Sequence, residues 1–380
     1  MTPQSLPTEI AARLPTPCLL VDLPAADRNI ARAAERFMVG PVRLRPHFKA
    51  HKTTRLLRRQ VEAGGCVGVT CQTADEAEIL VHEGFDEILV ANQVVDPLAL
   101  TQLAAAARLA RVTVAVDDLR HVALLESICQ LHDCRLGVVI ELDVGIGRCG
   151  LPAGSPHLVP LARSIGDADR LTFRGVQAYE GHVVMREDES MRRTMLAQIY
   201  AVVRAEIARL AEAGFSCELI SGAGTGTLDL AAELAVVNEV QAGSYVLMDA
   251  KYASLGLTFE PALYLATRVI SRRDPRAAVV NSGLKEATVE FGNPKPIDPR
   301  LAVIALSDEH TRLSVSGDGG PEVGELVLFL PAHIDPTINL HDALFVWDGG
   351  AGLERWPVDG RRDSTRASWT PEMASAGVQA

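Results

Sequence analysis

The chain has 380 residues, 48% of them apolar, and a formal net charge of −11 at pH 7; this length exceeds one ordinary hydrophobic core and suits a barrel followed by a second domain. The acidic balance argues against a nucleic-acid partner, which needs a basic footprint. No apolar run approaches the ~20 residues that span a bilayer, and residues 1–14 lack the charged and apolar regions of a secretory leader, so no membrane partner is expected. Seven cysteines, at positions 18, 66, 71, 129, 134, 149 and 217, form no Cys-x-x-Cys pair. Reduced thiols in a cytoplasmic protein are the simplest expectation.

From about residue 17 to residue 255, short β-rich runs alternate with helical runs. An apolar run at 16–22 precedes a helical segment at 25–37 and a short strand at 42–44. Further strands are expected at 66–70, 87–91, 112–116, 136–142, 173–177, 218–221 and 237–241. Helices fall between them, at 74–83, 97–109, 119–131, 156–165 and 189–213. The strands are apolar throughout rather than alternating, as in a parallel sheet covered on both faces. Counted from residue 16, about eight β/α units predict an α/β fold, a (β/α)8 TIM-like barrel over 17–255 with its site at the C-terminal strand ends. After about residue 258 the texture changes to short β segments at 269–271, 277–281, 302–306, 311–315 and 326–330, separated by Gly and Pro clusters with no helical period. This predicts an antiparallel β domain over 256–360, joined by residues 1–16, and a loose polar tail over 361–380.

Five motifs carry chemistry. Arg45-Pro46-His47-Phe48-Lys49-Ala50-His51-Lys52 follows the strand at 42–44. A lysine at a strand end, in apolar surroundings and beside other cations, is suited to attack an aldehyde, because desolvation and neighbouring charge favour the neutral amine. The alternative is a basic, solvated turn. Ser221-Gly222-Ala223-Gly224-Thr225-Gly226-Thr227 also follows a strand, where small residues let backbone N–H groups approach a phosphate and hydroxyls add donors. A plain flexible turn would read the same way. Arg148, in the glycine-rich run at 141–150, could meet a phenolate or a carboxylate, or pair with Asp143 or Glu141. Gln177-Ala178-Tyr179-Glu180-Gly181-His182 ends another strand, and a buried Tyr179 would need a hydroxyl partner. His333 and Asp335 are two apart, so on an extended segment they face the same way and could bind a divalent cation; a lone His-x-Asp is also commonly structural.

Together, in this order, the motifs resemble the D-threonine aldolase / D-serine dehydratase family, pyridoxal phosphate enzymes of the alanine-racemase-like fold (fold type III), over residues 17–347. The resemblance implies that Lys49 carries pyridoxal 5'-phosphate as a Schiff base, and that Gly222, Gly224, Thr225 and Gly226 form the phosphate loop, with the Ser221 hydroxyl before them a further cofactor-binding candidate. It implies that Arg148, Gln177 and Tyr179 surround the cofactor ring and that His333 and Asp335 hold a divalent metal, Mn, Mg, Co or Zn. It also implies a homodimer and a small D-amino acid substrate. Cleavage of Cα–Cβ would give glycine and an aldehyde; cleavage of Cα–H with loss of the β-hydroxyl would give a 2-oxo acid and ammonia. The family's dehydratases tend to carry Cys where this chain has Asp335, which favours the aldolase. A D-serine or D-3-hydroxyaspartate dehydratase and a D-3-hydroxyaspartate aldolase are the alternatives, with a racemase or a non-catalytic cofactor carrier behind them. The run after Tyr179 departs from the aldolase pattern, leaving His47, His51 and His182 all as candidate bases.

Overall fold

The computed structural model describes residues 6–361. Nearly all of the expected tail, 361–380, lies outside the described residues. Eight parallel strands form one curled sheet: Arg43–Leu44, Val69–Cys71, Glu87–Val90, Arg111–Val116, Leu136–Asp143, Leu171–Ala178, Leu219–Gly222 and Glu239–Val240. Glu239 pairs with Arg43, joining the last strand to the first. Single parallel bridges, Leu44 to Cys66 and His47 to Thr70, join the first strand to the second. The apolar strand pattern has a direct cause. Leu89, Ala115, Val139 and Leu219 pack together as one small cluster, while alternate residues such as Ile88, Val114 and Val138 join the main core.

The crossover helices start where sequence chemistry allows. Asp96 caps Pro97–Ala107 by accepting the Leu98 and Ala99 N–H groups, and Asp188 caps Glu189–Glu212 through the Met191 N–H. At the N-terminal ends of the strands, Arg45 makes a buried bidentate pair with Glu239 at 2.7 and 2.9 Å. No helix among the described residues is long and apolar enough to cross a membrane.

One strand is not where the sequence pattern puts it. Cys18–Asp22 is not the first barrel strand; it pairs antiparallel with Leu263–Asp274 and parallel with Ala343–Trp347 in the second sheet. Both of its faces are apolar for a different reason. Cys18 and Leu20 pack with Ile10, Leu14 and Trp347, while Leu19 and Val21 join the main core. A strand covered on two sides looks the same in sequence whether its cover is a barrel or a helix.

The second sheet has nine strands, in the order Leu301–Leu306, Thr311–Val315, Ala277–Val280, Leu263–Asp274, Cys18–Asp22, Ala343–Trp347 and Leu353–Pro357, with Leu326–Leu330 and Lys295–Pro296 paired alongside. A short helix, Ile334–Ile338, interrupts the expected absence of helix here. Pro336 sits in its first turn, where a missing N–H breaks no intrahelical bond.

Candidate active site

The turn after the first barrel strand sets the site. Phe48–Ala50 forms one 3-10 turn that follows an extended His47 and ends at His51. Gly243 lies so close beneath this turn that a Cβ there would come within 2.6 Å of the His47 carbonyl oxygen. Lys49 and His47 line a cavity of about 250 Å³ at the C-terminal ends of the strands, together with Arg148, Gln177, Tyr179, Gly224, Thr225, His333 and Asp335. All five sequence motifs therefore reach the cavity, the first through His47 and Lys49 and the glycine-rich loop through Gly224 and Thr225.

Lys52 does not share the site. Its backbone is left-handed (φ 52°), and its Nζ reaches Glu76 Oε1 at 3.2 Å and Asn339 Oδ1 at 3.1 Å. The Gly360 N–H donates to the Lys52 carbonyl at 2.9 Å. Lys52 thus ties the turn bearing Lys49 to the segment that follows the helix of Asp335.

The three candidate bases separate. His47 is buried beside Lys49, and burial first, then the Lys49 charge, push its imidazole well below the usual range, so it is neutral. Its Nδ1 has no partner among the described residues. His51 faces away from the cavity, its Nε2 donating to Gln60 Oε1 at 2.9 Å and its Nδ1 accepting from the Thr53 N–H at 3.3 Å. His182 packs against the Gly145 turn, where an added Cβ would lie 3.2 Å from its Cε1. The structure does not bring His51 or His182 to the cavity. Nearness to Lys49 in sequence gave no indication of which side of the turn each ring takes.

His51 has a measurable signature. Burial pushes its imidazole down to about 4. With the folded value below the unfolded value, the stabilisation is complete above pH ~6.5 and drains as pH falls from ~6.5 towards 4, by about 3 kcal/mol in all. Urea unfolding at pH 7 and pH 5 is expected to show a loss of stability in the parent protein that is smaller in His51→Gln by about 2 kcal/mol, the part of the His51 contribution lost by pH 5.

The loop from Gly222 to Thr227 is shaped from behind by Glu180. This buried carboxylate accepts from the Thr227 hydroxyl at 2.6 Å and from the Ala223 N–H at 3.2 Å. The Ala223 backbone is held at φ 59°, a left-handed conformation that non-glycine residues adopt at some cost. A Cβ at Gly226 would run into the Val184 carbonyl, so glycine is required for that approach. Thr225 Oγ1 lies buried on the cavity wall without a partner among the described residues. An unpaired buried hydroxyl on a close glycine loop suits a phosphate group. Ser221 lies behind this wall, accepting from Gln241 Nε2 at 2.8 Å, and Gly222 pairs with Val240.

On the other walls, the Arg148 guanidinium stands 5.8 Å from the Tyr179 ring centroid and 3.8 Å from Glu141. Burial pushes the Tyr179 phenol up, so it stays protonated and can donate. Gln241 Nε2 also donates to Gln177 Oε1 at 3.0 Å, which fixes that amide.

His333 and Asp335 meet by a route other than the extended segment expected. His333 is the N-cap of the helix Ile334–Ile338 and Asp335 lies in its first turn, leaving His333 Nε2 3.9 Å from Asp335 Oδ1. One ion with bonds of ~2.1 Å spans that gap. Beneath them, Asp249 accepts from the Tyr252 N–H at 2.8 Å and the Ile334 N–H at 3.4 Å, and burial pushes its carboxyl up to about 6. Among the described residues no group of three or more His, Cys, Asp or Glu side chains stands ready for one ion. A cation here would take two protein ligands and keep positions open. Sequence reasoning missed Gln241, Asp249 and Glu290; of these, only Gln241 had a signal, its place at a barrel strand end.

Residues 21–251 match the profile described as alanine racemase, N-terminal domain. The chain belongs to the alanine racemase N-terminal domain family. Residues 262–347 of this alanine-racemase-family chain match a serine dehydratase domain profile. The chain is similar to 3-hydroxy-D-aspartate aldolase of Paracoccus denitrificans (strain Pd 1222), 34% identical over 94% of this chain and 95% of the relative. It is also similar to D-threonine aldolase of Arthrobacter sp, 33% identical over 95% of this chain and 96% of the relative. The crystal structure of D-threonine aldolase from Filomicrobium marinum matches with a TM-score of 0.87 and 37% identity, covering 91% of this chain and 95% of that one. The alanine-racemase-like fold and the kinship read from the five motifs are thereby shown.

Proposed function

We propose that this protein is a pyridoxal phosphate-dependent, divalent-metal-assisted lyase that cleaves a D-β-hydroxy-α-amino acid of the D-threonine type to glycine and an aldehyde. The observation that carries this reading is the meeting of Lys49 with the His333 and Asp335 pair across one cavity. Pyridoxal phosphate on Lys49 supplies an electron sink for the bond broken at Cα, and a divalent ion supplies Lewis acidity at the substrate's β-oxygen. Thr225 and the glycine loop hold the phosphate, while the protonated Tyr179 and Arg148 border the ring. His333 and Asp335 hold the ion; a carboxylate in that pair suits Mn or Mg. His47, which lines the cavity, is neutral and has its Nδ1 unpartnered among the described residues, takes the β-hydroxyl proton as the Cα–Cβ bond breaks.

A homodimer and a cytoplasmic location belong to the same reading. All seven cysteines are free, in keeping with a reducing compartment. The dehydratase reading has the second-domain match in its favour. Product analysis separates the two. Purified protein with pyridoxal phosphate and Mn is given D-threonine, D-serine and D-3-hydroxyaspartate. The expected products are glycine and an aldehyde, lost on adding a chelator. A 2-oxo acid with ammonia would mean that Cα–H cleavage wins, and the aldolase reading would fall.

A further inference from the structure

His333 has a second partner that no motif contains. Its Nδ1 lies 2.7 Å from Glu290 Oε1, while its Nε2 faces Asp335. An ionised carboxylate only accepts, so this contact requires the proton on Nδ1. In the neutral ring Nε2 is then left with its lone pair directed at the gap before Asp335. That is the tautomer in which an imidazole ligates a metal through Nε2.

The plane of the ring is held as well. The Phe291 ring packs against His333 with centroids 4.5 Å apart and planes 36° from each other. The segment carrying Glu290 and Phe291 is tied in turn to the helix of Asp335. The Thr288 N–H donates to Thr337 Oγ1 at 3.3 Å, and the two threonine hydroxyls lie 3.2 Å apart. Both members of the ligand pair and the carboxylate behind them are therefore joined through Thr288 and Thr337. The Glu290 side chain keeps 42% of its exposure, so a bare charge effect there would be weak, and its value lies in fixing direction and tautomer.

We propose that Glu290 is a positioning residue for the metal centre: it holds His333 as the Nδ1–H tautomer with Nε2 presented to the ion, and Phe291 fixes the ring plane. This rests on the reading of His333 and Asp335 as the metal pair. Outer partners of this kind contribute about 10- to 100-fold in metal affinity.

The test is a manganese titration of the pyridoxal phosphate-loaded protein, with free Mn read by electron paramagnetic resonance. The parent protein is compared with Glu290→Leu, Glu290→Gln and His333→Ala. Glu290→Leu is expected to weaken Mn binding by about 10- to 100-fold. Glu290→Gln, which keeps an acceptor for the Nδ1 proton, is expected to fall between it and the parent. Nitrogen-15 spectra of the metal-free protein are expected to show the Nδ1–H tautomer of His333 in the parent and a mixture in Glu290→Leu. If His333→Ala abolishes Mn binding while Glu290→Leu binds as the parent does, the positioning role is overturned and the metal pair stands. If His333→Ala itself binds Mn normally, the metal reading falls and this inference with it.

Discussion

Lys49→Ala is expected to abolish covalent capture of pyridoxal phosphate and to lower turnover by ~10⁴-fold or more, the scale of losing a residue on which covalent chemistry depends. Among the described residues lining the cavity, Lys49 is the only lysine. Lys52, three residues on, cannot take over, because its amine is engaged by Glu76 and Asn339. Borohydride reduction followed by mass spectrometry reads the result directly. The parent and Lys52→Ala should each carry one reduced adduct, and Lys49→Ala should carry none. A reducible adduct in Lys49→Ala would remove Lys49 from its assigned role.

Removal of the metal pair is the second large effect. His333→Ala or Asp335→Ala should lower kcat by ~10²–10⁴-fold, the several kcal/mol that a Lewis acid contributes where charge develops on oxygen. A chelator should produce a similar loss in the parent. Added Mn should restore the chelated parent and leave His333→Ala unrestored, since among the described residues no third His, Cys, Asp or Glu stands with the pair to replace one. Normal metal-free turnover by His333→Ala would show that the pair does not hold a catalytic ion.

The legible parts of this protein are those in which one physical constraint acts on contiguous residues. Strands such as residues 112–116 are buried on both faces, so they read as nearly continuous apolar runs and the β/α alternation shows through. Cys18–Asp22 carries the same signature from a different cover, and pattern alone assigned it to the wrong sheet. The site followed the same rule. Lys49, the glycine loop and the His333 and Asp335 pair each sit in a short motif whose residues act together. Glu290 meets His333 across 43 positions and Asp249 meets Ile334 across 85, contacts that no local pattern encodes. The bases were ambiguous for a geometric reason. A single 3-10 turn at Phe48–Ala50 sends His47 to the cavity and leaves His51 bonded to Gln60, and residue spacing does not reveal that rotation.

The place of Cys18–Asp22 also governs how the chain can be assembled. All eight barrel strands lie between Arg43 and Val240, so all of them precede Leu263–Asp274 in the chain. The strand that precedes them must wait for Leu263–Asp274 on one side and for Ala343–Trp347, close to the other end of the chain, on the second. Through that interval it presents two edges of unpaired backbone N–H and C=O groups, the surface on which unwanted pairing with other chains begins. A fragment ended at residue 255 keeps every barrel strand and leaves this one without either neighbour, so the barrel is an insertion within a sheet whose strands come from before and after it.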